Sequence, residues 1–141
     1  MAEGNKYRML KHTSDVGVRV EGQSANELFA NAAYALFDVM ADLNRVEVRE
    51  SLRLEVDGAD RNDLMVSWLT EVLYLFQSTG YLLREFDILD ASETRVAATA
   101  RGEKFDPDRH DILREIKGIL ASKCRTEKIG NKWTAQVVFE I

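Results

Sequence analysis

The chain has 141 residues, of which 45% are hydrophobic and 30% charged, and its formal net charge is −5. A chain of this length forms one domain, 1–141, and buries roughly 68% of its unfolded surface, enough for a core without a disulfide or metal staple. Two histidines and a single cysteine, Cys124, exclude a Cys-rich zinc site and an intrachain disulfide, and the acidic balance argues against broad binding of a phosphate backbone. There is no Walker A or GxGxxG pattern, no signal-peptide-like opening, and no run near the ~20 apolar residues of a membrane span, so the reading is a cytoplasmic domain with no membrane contact.

The segment YRMLKH (7–12) and the alternating VGVRVEG (16–22) predict two short strands around a turn at Thr13, Ser14 and Asp15. Ser24 followed by Glu27 is a capping-box pattern, and Leu28, Phe29, Ala32, Ala33, Leu36, Phe37 and Met40 recur at helical spacing, predicting a helix over 25–41. Val46, Val48, Leu52, Leu54 and Val56 alternate with one break near Glu50 and Ser51, predicting a bulged strand that stops at Asp57-Gly58. A second helix is predicted over 61–79, with Ser67, Thr70, Glu71, Tyr74, Gln77 and Ser78 as its polar stripe and Gly80 as its stop. From Tyr81 the pattern turns to strands: YLLREFDIL, TRVAATARGE, a loop through Pro107, REIKGILASKCRTEKI, and KWTAQVVFEI after Gly130-Asn131. The expected class is α+β, a two-layer sandwich in which a mostly antiparallel or mixed sheet is covered by two main helices.

Asp15, at a strand end after His12, either caps nearby amides in an Asx-turn or binds a hard cation. The last strand ends with the Glu140 side chain and the Ile141 α-carboxylate side by side. If that strand lies near Asp15, three carboxylates converge and repel one another unless a cation neutralises them, and calcium or magnesium suits oxygen ligands. A solvated strand end is the alternative. Residues 101–132 hold nine basic and six acidic side chains against ten and eighteen elsewhere. There, Arg101, Glu103, Arg114, Glu115 and Lys117 are either a binding face for a partner or nucleotide or ordinary outward strand charges. His110 has no evident partner for general-base work, and Cys124 reads as a packing residue.

The segment HTSDVGVRVEGQSANELFANAAYALFDVM resembles the archease family's opening His-Thr-x-Asp-x-Gly motif and first helix. DLMVSWLTEVLYLF (63–76) resembles its second helix, ARGEKFDPDRHDILREIKG (100–118) its Arg-Gly-Glu loop and following strand, and KWTAQVVFEI (132–141) its final strand. The resemblance implies an archease-like fold and an accessory protein in tRNA splicing and processing, without enzymatic activity of its own. Its implied partner is the GTP- and Mn²⁺-dependent RNA-splicing ligase of the RtcB type, whose histidine guanylylation and multiple turnover it promotes, with RNA touched only indirectly. An alternative is a chaperone or modulator of an RNA (tRNA) cytosine methyltransferase. The resemblance further implies a divalent metal ion held by Asp15, Glu140 and Ile141, with calcium expected in crystals and Mn²⁺ or Mg²⁺ as working ions. His12, Arg101, Glu103 and Lys117 are candidates for facing a partner or supporting the site. Two departures stand out: Glu140 where the family usually has Asp, and Leu120, Ala121, Ser122 and Lys123 where it commonly has a Thr-Tyr-His stretch.

Overall fold

In the computed structural model, which describes residues 6–10 and 14–141, the period-two run Val16, Val18 and Val20 becomes a fully paired strand. Strand β1 (Tyr7–Leu10) pairs antiparallel with β2 (Val16–Gly22), in the predicted hairpin order. Along the other edge of β2 runs β8 (Lys132–Glu140), in register from Val16↔Phe139 to Gly22↔Trp133. The far side of β8 is shared by β6 (Gly118–Ile119) and β7 (Arg125–Ile129), which makes β8 the centre of a five-stranded sheet. Successive side chains of a strand alternate between faces. Val16, Val18 and Val20 with Ala135, Val137 and Phe139 therefore form one buried face.

The middle of the chain builds a second, three-stranded antiparallel sheet in the order β3 (Glu50–Asp57), β5 (Arg95–Lys104), β4 (Tyr81–Ala91). Helix α1 (Ala25–Met40) packs against β2 and β8 of the first sheet and β4 of the second. Helix α2 (Arg61–Thr79) likewise touches both sheets. The predicted capping box is present: Ser24 Oγ accepts from Glu27 N–H at 3.1 Å, and Glu27 Oε1 accepts from Gln23 N–H at 3.0 Å. Gly80 ends α2 in the left-handed conformation, φ 82°, which costs a glycine nothing. Trp68 is fully buried, and its indole N–H donates to Phe29 O at 2.9 Å, tying α2 to the N-terminal part of α1. The fold is α+β, with every strand pair antiparallel and the strands divided between two sheets.

Three sequence expectations shift. The strand expected from Val46 starts at Glu50, because the preceding backbone is bonded to side chains: Glu47 N–H to the Glu103 carboxylate at 2.7 Å and Val46 O to Arg84 at 2.9 Å. The irregularity expected near Glu50 lies across the sheet in β4, where register slips between Leu83 and Glu85 and between Ile88 and Asp90. The run from Arg114 to Ile129 is cut into β6, a 3₁₀ turn over Ala121–Lys123, and β7, so that two short strands share one side of β8. Among the described residues, no helix is long and apolar enough to cross a membrane.

Candidate metal centre

Register alone brings the two ends of the chain together. Asp15 precedes Val16 and Glu140 follows Phe139, so the Val16↔Phe139 pair leaves both carboxylates at the same end of the β2–β8 seam. Val16 and Phe139 point into the core, and alternation turns Asp15 and Glu140 to the opposite face. On the other side of Glu140 lies Gly118, and Lys117 N–H donates to Glu140 O at 2.7 Å. A Cβ placed on Gly118 would lie 3.7 Å from Glu140 Oε1, an ordinary contact.

The 3₁₀ turn supplies a cation. Lys123 Nζ donates to Asp15 Oδ2 at 3.1 Å, with the lysine side chain 52% exposed and the aspartate 16%. The turn is fixed by Lys123 N–H to Leu120 O at 3.0 Å and by Gln136 Nε2 donating to Lys123 O at 3.3 Å. The stretch Leu120 to Lys123 thus delivers an ammonium group to the motif aspartate. Nothing in the sequence pairs these two residues, because their contact exists only once β8 and its neighbours align.

The donor set fits a hard divalent cation. Asp15 and Glu140 offer carboxylate oxygens, Lys123 competes for one oxygen of Asp15, and Glu140 has no side-chain hydrogen bond or ion pair among the described residues. Its extra methylene gives Glu140 reach along the seam. No group of three or more His, Cys, Asp or Glu side chains suited to a metal occurs among the described residues. His12 lies outside the described residues. Lys117 is exposed and stands beside Glu140, whereas Arg101 and Glu103 belong to β5 of the other sheet.

Glu103 serves a different cluster. It is buried, 3% exposed, and its carboxylate accepts from Arg109, from Glu47 N–H and from His110 Nε2 at 2.9 Å. His110 Nδ1 accepts Asp106 N–H at 2.9 Å, which places the ring proton on Nε2. Burial opposes ionisation of Glu103, but the hydrogen bonds from Arg109, Glu47 and His110, with the Arg109 charge, outweigh it and hold its pKa down at about 2. This network pins the 105–110 loop and leaves His110 no free nitrogen for general-base work. Burial pushes the Cys124 thiol up, and its Sγ–H donates to Leu120 O at 3.3 Å, consistent with packing.

A sequence profile of the Archease protein family (MTH1598/TM1083) matches residues 7–141. The chain belongs to the archease family. Protein archease of Sulfurisphaera tokodaii is 33% identical over 137 residues, covering 96% of this chain and 99% of that one. Protein archease of Pyrococcus abyssi is 35% identical over 140 residues, with 96% and 99% coverage. The solution structure of Methanobacterium thermoautotrophicum protein 1598 superposes with a TM-score of 0.81 at 26% identity, covering 97% of this chain and 99% of that one. The crystal structure of a Thermotoga maritima archease, described as a possible chaperone, superposes with a TM-score of 0.63 at 18% identity, covering 95% and 96%. The archease fold therefore extends over both sheets and both helices.

Proposed function

We propose that this archease is an accessory protein of RNA processing, in tRNA splicing, that activates an RNA ligase of the RtcB type through a divalent cation held by Asp15, Glu140 and the backbone carboxyl of Ile141. The observation that carries this reading is the placement of Asp15 and Glu140 at one end of the β2–β8 seam. A cation bound there supplies charge neutralisation and positioning of phosphate oxygens in nucleotidyl transfer. The chain's own residues bind and orient: Asp15 and Glu140 present hard oxygens, the Lys117 amide fixes the Glu140 backbone, and Lys123 neutralises Asp15 when the cation is absent. Cys124 is held as a thiol by burial.

The test is guanylylation and multiple-turnover ligation by the cognate ligase with GTP and Mn²⁺, with no addition, with the wild-type protein, and with Asp15→Ala. Stimulation by the wild type and its loss in a folded Asp15→Ala protein is the expected result. Undiminished stimulation by the variant would overturn the role of the carboxylate. The alternative is a chaperone or modulator of an RNA cytosine methyltransferase. It predicts a complex that survives chelation of divalent ions and contains the methyltransferase in place of the ligase.

A further inference from the structure

The face of β2, β8 and β7 opposite the core holds a cavity of about 470 Å³ lined by Arg19, Lys123, Arg125, Glu127, Thr134 and Gln136. That volume lies in the range of small-molecule sites, well above what a lone ion needs. Arg19 and Arg125 both pair with Gln136, on its two sides, so the three form one row across three strands. Strands are spaced by about 4.8 Å, which sets the two arginine Cα atoms roughly 9.6 Å apart. Guanidinium groups reaching inward from that spacing offer paired N–H donors to opposite sides of a tetrahedral oxyanion, at N···O distances of about 2.8 Å.

These cations are under-compensated. Arg125 has no ion pair or side-chain hydrogen bond among the described residues, and Arg19 reaches Glu21 only at 3.9 Å, while Glu21 also faces Lys132 at 3.5 Å. Lys123 adds a third positive group to the wall, although its ammonium is turned to Asp15. The one carboxylate of the lining, Glu127, stands two residues along β7 from Arg125, opposite Thr134. The cavity thus has a cationic row and, next to it, a row that accepts hydrogen bonds.

We propose that this cavity binds a phosphorylated small molecule, its phosphate between Arg19 and Arg125 over Gln136 and its hydroxyl-bearing body against Glu127 and Thr134. The polarity selects the ligand: phosphate repelled by Glu127 settles on the arginine row, and hydroxyl donors satisfy the carboxylate. Neither arginine pairs with Asp15, and Lys123 is the one residue the cavity shares with that carboxylate.

Amide-resolved NMR titration of the full chain with inorganic phosphate and with ribose 5-phosphate, at ionic strength matched with sodium chloride, tests it. Saturable shifts at Arg19, Lys123 to Glu127 and Gln136 are expected, with ribose 5-phosphate binding about tenfold more tightly than phosphate. Arg19→Gln and Arg125→Gln should each weaken both ligands at least about fivefold. Glu127→Gln should leave phosphate binding intact and erase the advantage of the sugar phosphate. Unchanged melting temperatures and unchanged resonances in the second sheet show that the variants fold. Shifts reproduced by sodium chloride alone, or shifts that persist in both arginine variants, would overturn the site. Equal affinity for the two ligands would overturn the assignment of a hydroxyl-bearing body.

Discussion

Lys123 and Asp15, 108 positions apart in sequence, meet at 3.1 Å beside the end of the β2–β8 seam. The ammonium group occupies Oδ2 of that carboxylate, so a cation binding there competes with Lys123. Lys123→Met should therefore tighten binding of Ca²⁺ or Mn²⁺ about fivefold, the ~1 kcal/mol scale of a partly exposed ion pair. Asp15→Asn should remove measurable binding. Titration calorimetry on the three proteins reads both effects, and weaker binding in Lys123→Met would show that the lysine supports the cation instead of competing with it.

The Glu103 network sets an acid limit on stability. The folded-state pKa of about 2 lies below the ordinary 4.5, so the contribution is fully present above pH 4.5 and is lost as pH falls from 4.5 towards 2. Removing one partner of a buried, hydrogen-bonded charge cluster costs about 3 kcal/mol. Glu103→Gln should lose about that much stability at neutral pH and flatten the dependence between pH 4.5 and 2, measured by urea unfolding across that range. A variant with the wild-type pH slope would assign the acid sensitivity to other carboxylates.

Gly102 is the glycine that β5 cannot exchange. A Cβ there would lie 1.9 Å from Leu82 O, a backbone atom of the adjacent strand next to the Leu83/Glu85 register slip. Gly102→Ala should destabilise the fold by about 3 kcal/mol, at the upper end of overpacking costs. Gly118→Ala, whose new methyl makes only an ordinary contact with Glu140, should change stability by less than about 1 kcal/mol. Thermal unfolding of the pair makes the comparison.

Trp68 donates its indole N–H to Phe29 O inside the core. Phe in its place leaves that carbonyl without its partner and removes ring volume, and Trp68→Phe should cost about 2–3 kcal/mol. Denaturant unfolding followed by far-ultraviolet circular dichroism measures it, since Trp133 would remain the sole indole reporter.

Much of this architecture is legible in the sequence because local signals agree with tertiary packing. Ser24 with Glu27, the apolar spacing from Leu28 to Met40, and Gly80 after a 19-residue periodic run each carry their own structural cause. The division of the strands into two sheets is invisible locally, since alternation reports which face is buried without naming the partner strand. The same holds for the site. Asp15 and Glu140 are readable as carboxylates at strand ends, and family resemblance links them, yet Lys123 arrives through a 3₁₀ turn inside a run that reads as continuous strand. Glu103 reads as an outward strand charge because nothing in ARGEK reveals that Arg109 and His110 fold back over it.

The order of strands along the chain sets how far apart paired strands lie in sequence. Residues 50–104 build the three-stranded sheet and α2 from one continuous stretch, whereas β2 and β8 pair across more than a hundred intervening residues. Closing a loop of that size costs roughly 4 kcal/mol of chain entropy by the logarithmic length law. Long-range pairing of this kind has to close that loop before its contacts form, which slows folding. Until it forms, β2 has β1 on one edge and a bare row of amides on the other, a template for pairing with a second molecule. Zipping β8 into that gap removes the hazard and sets Glu140 beside Asp15 in the same event.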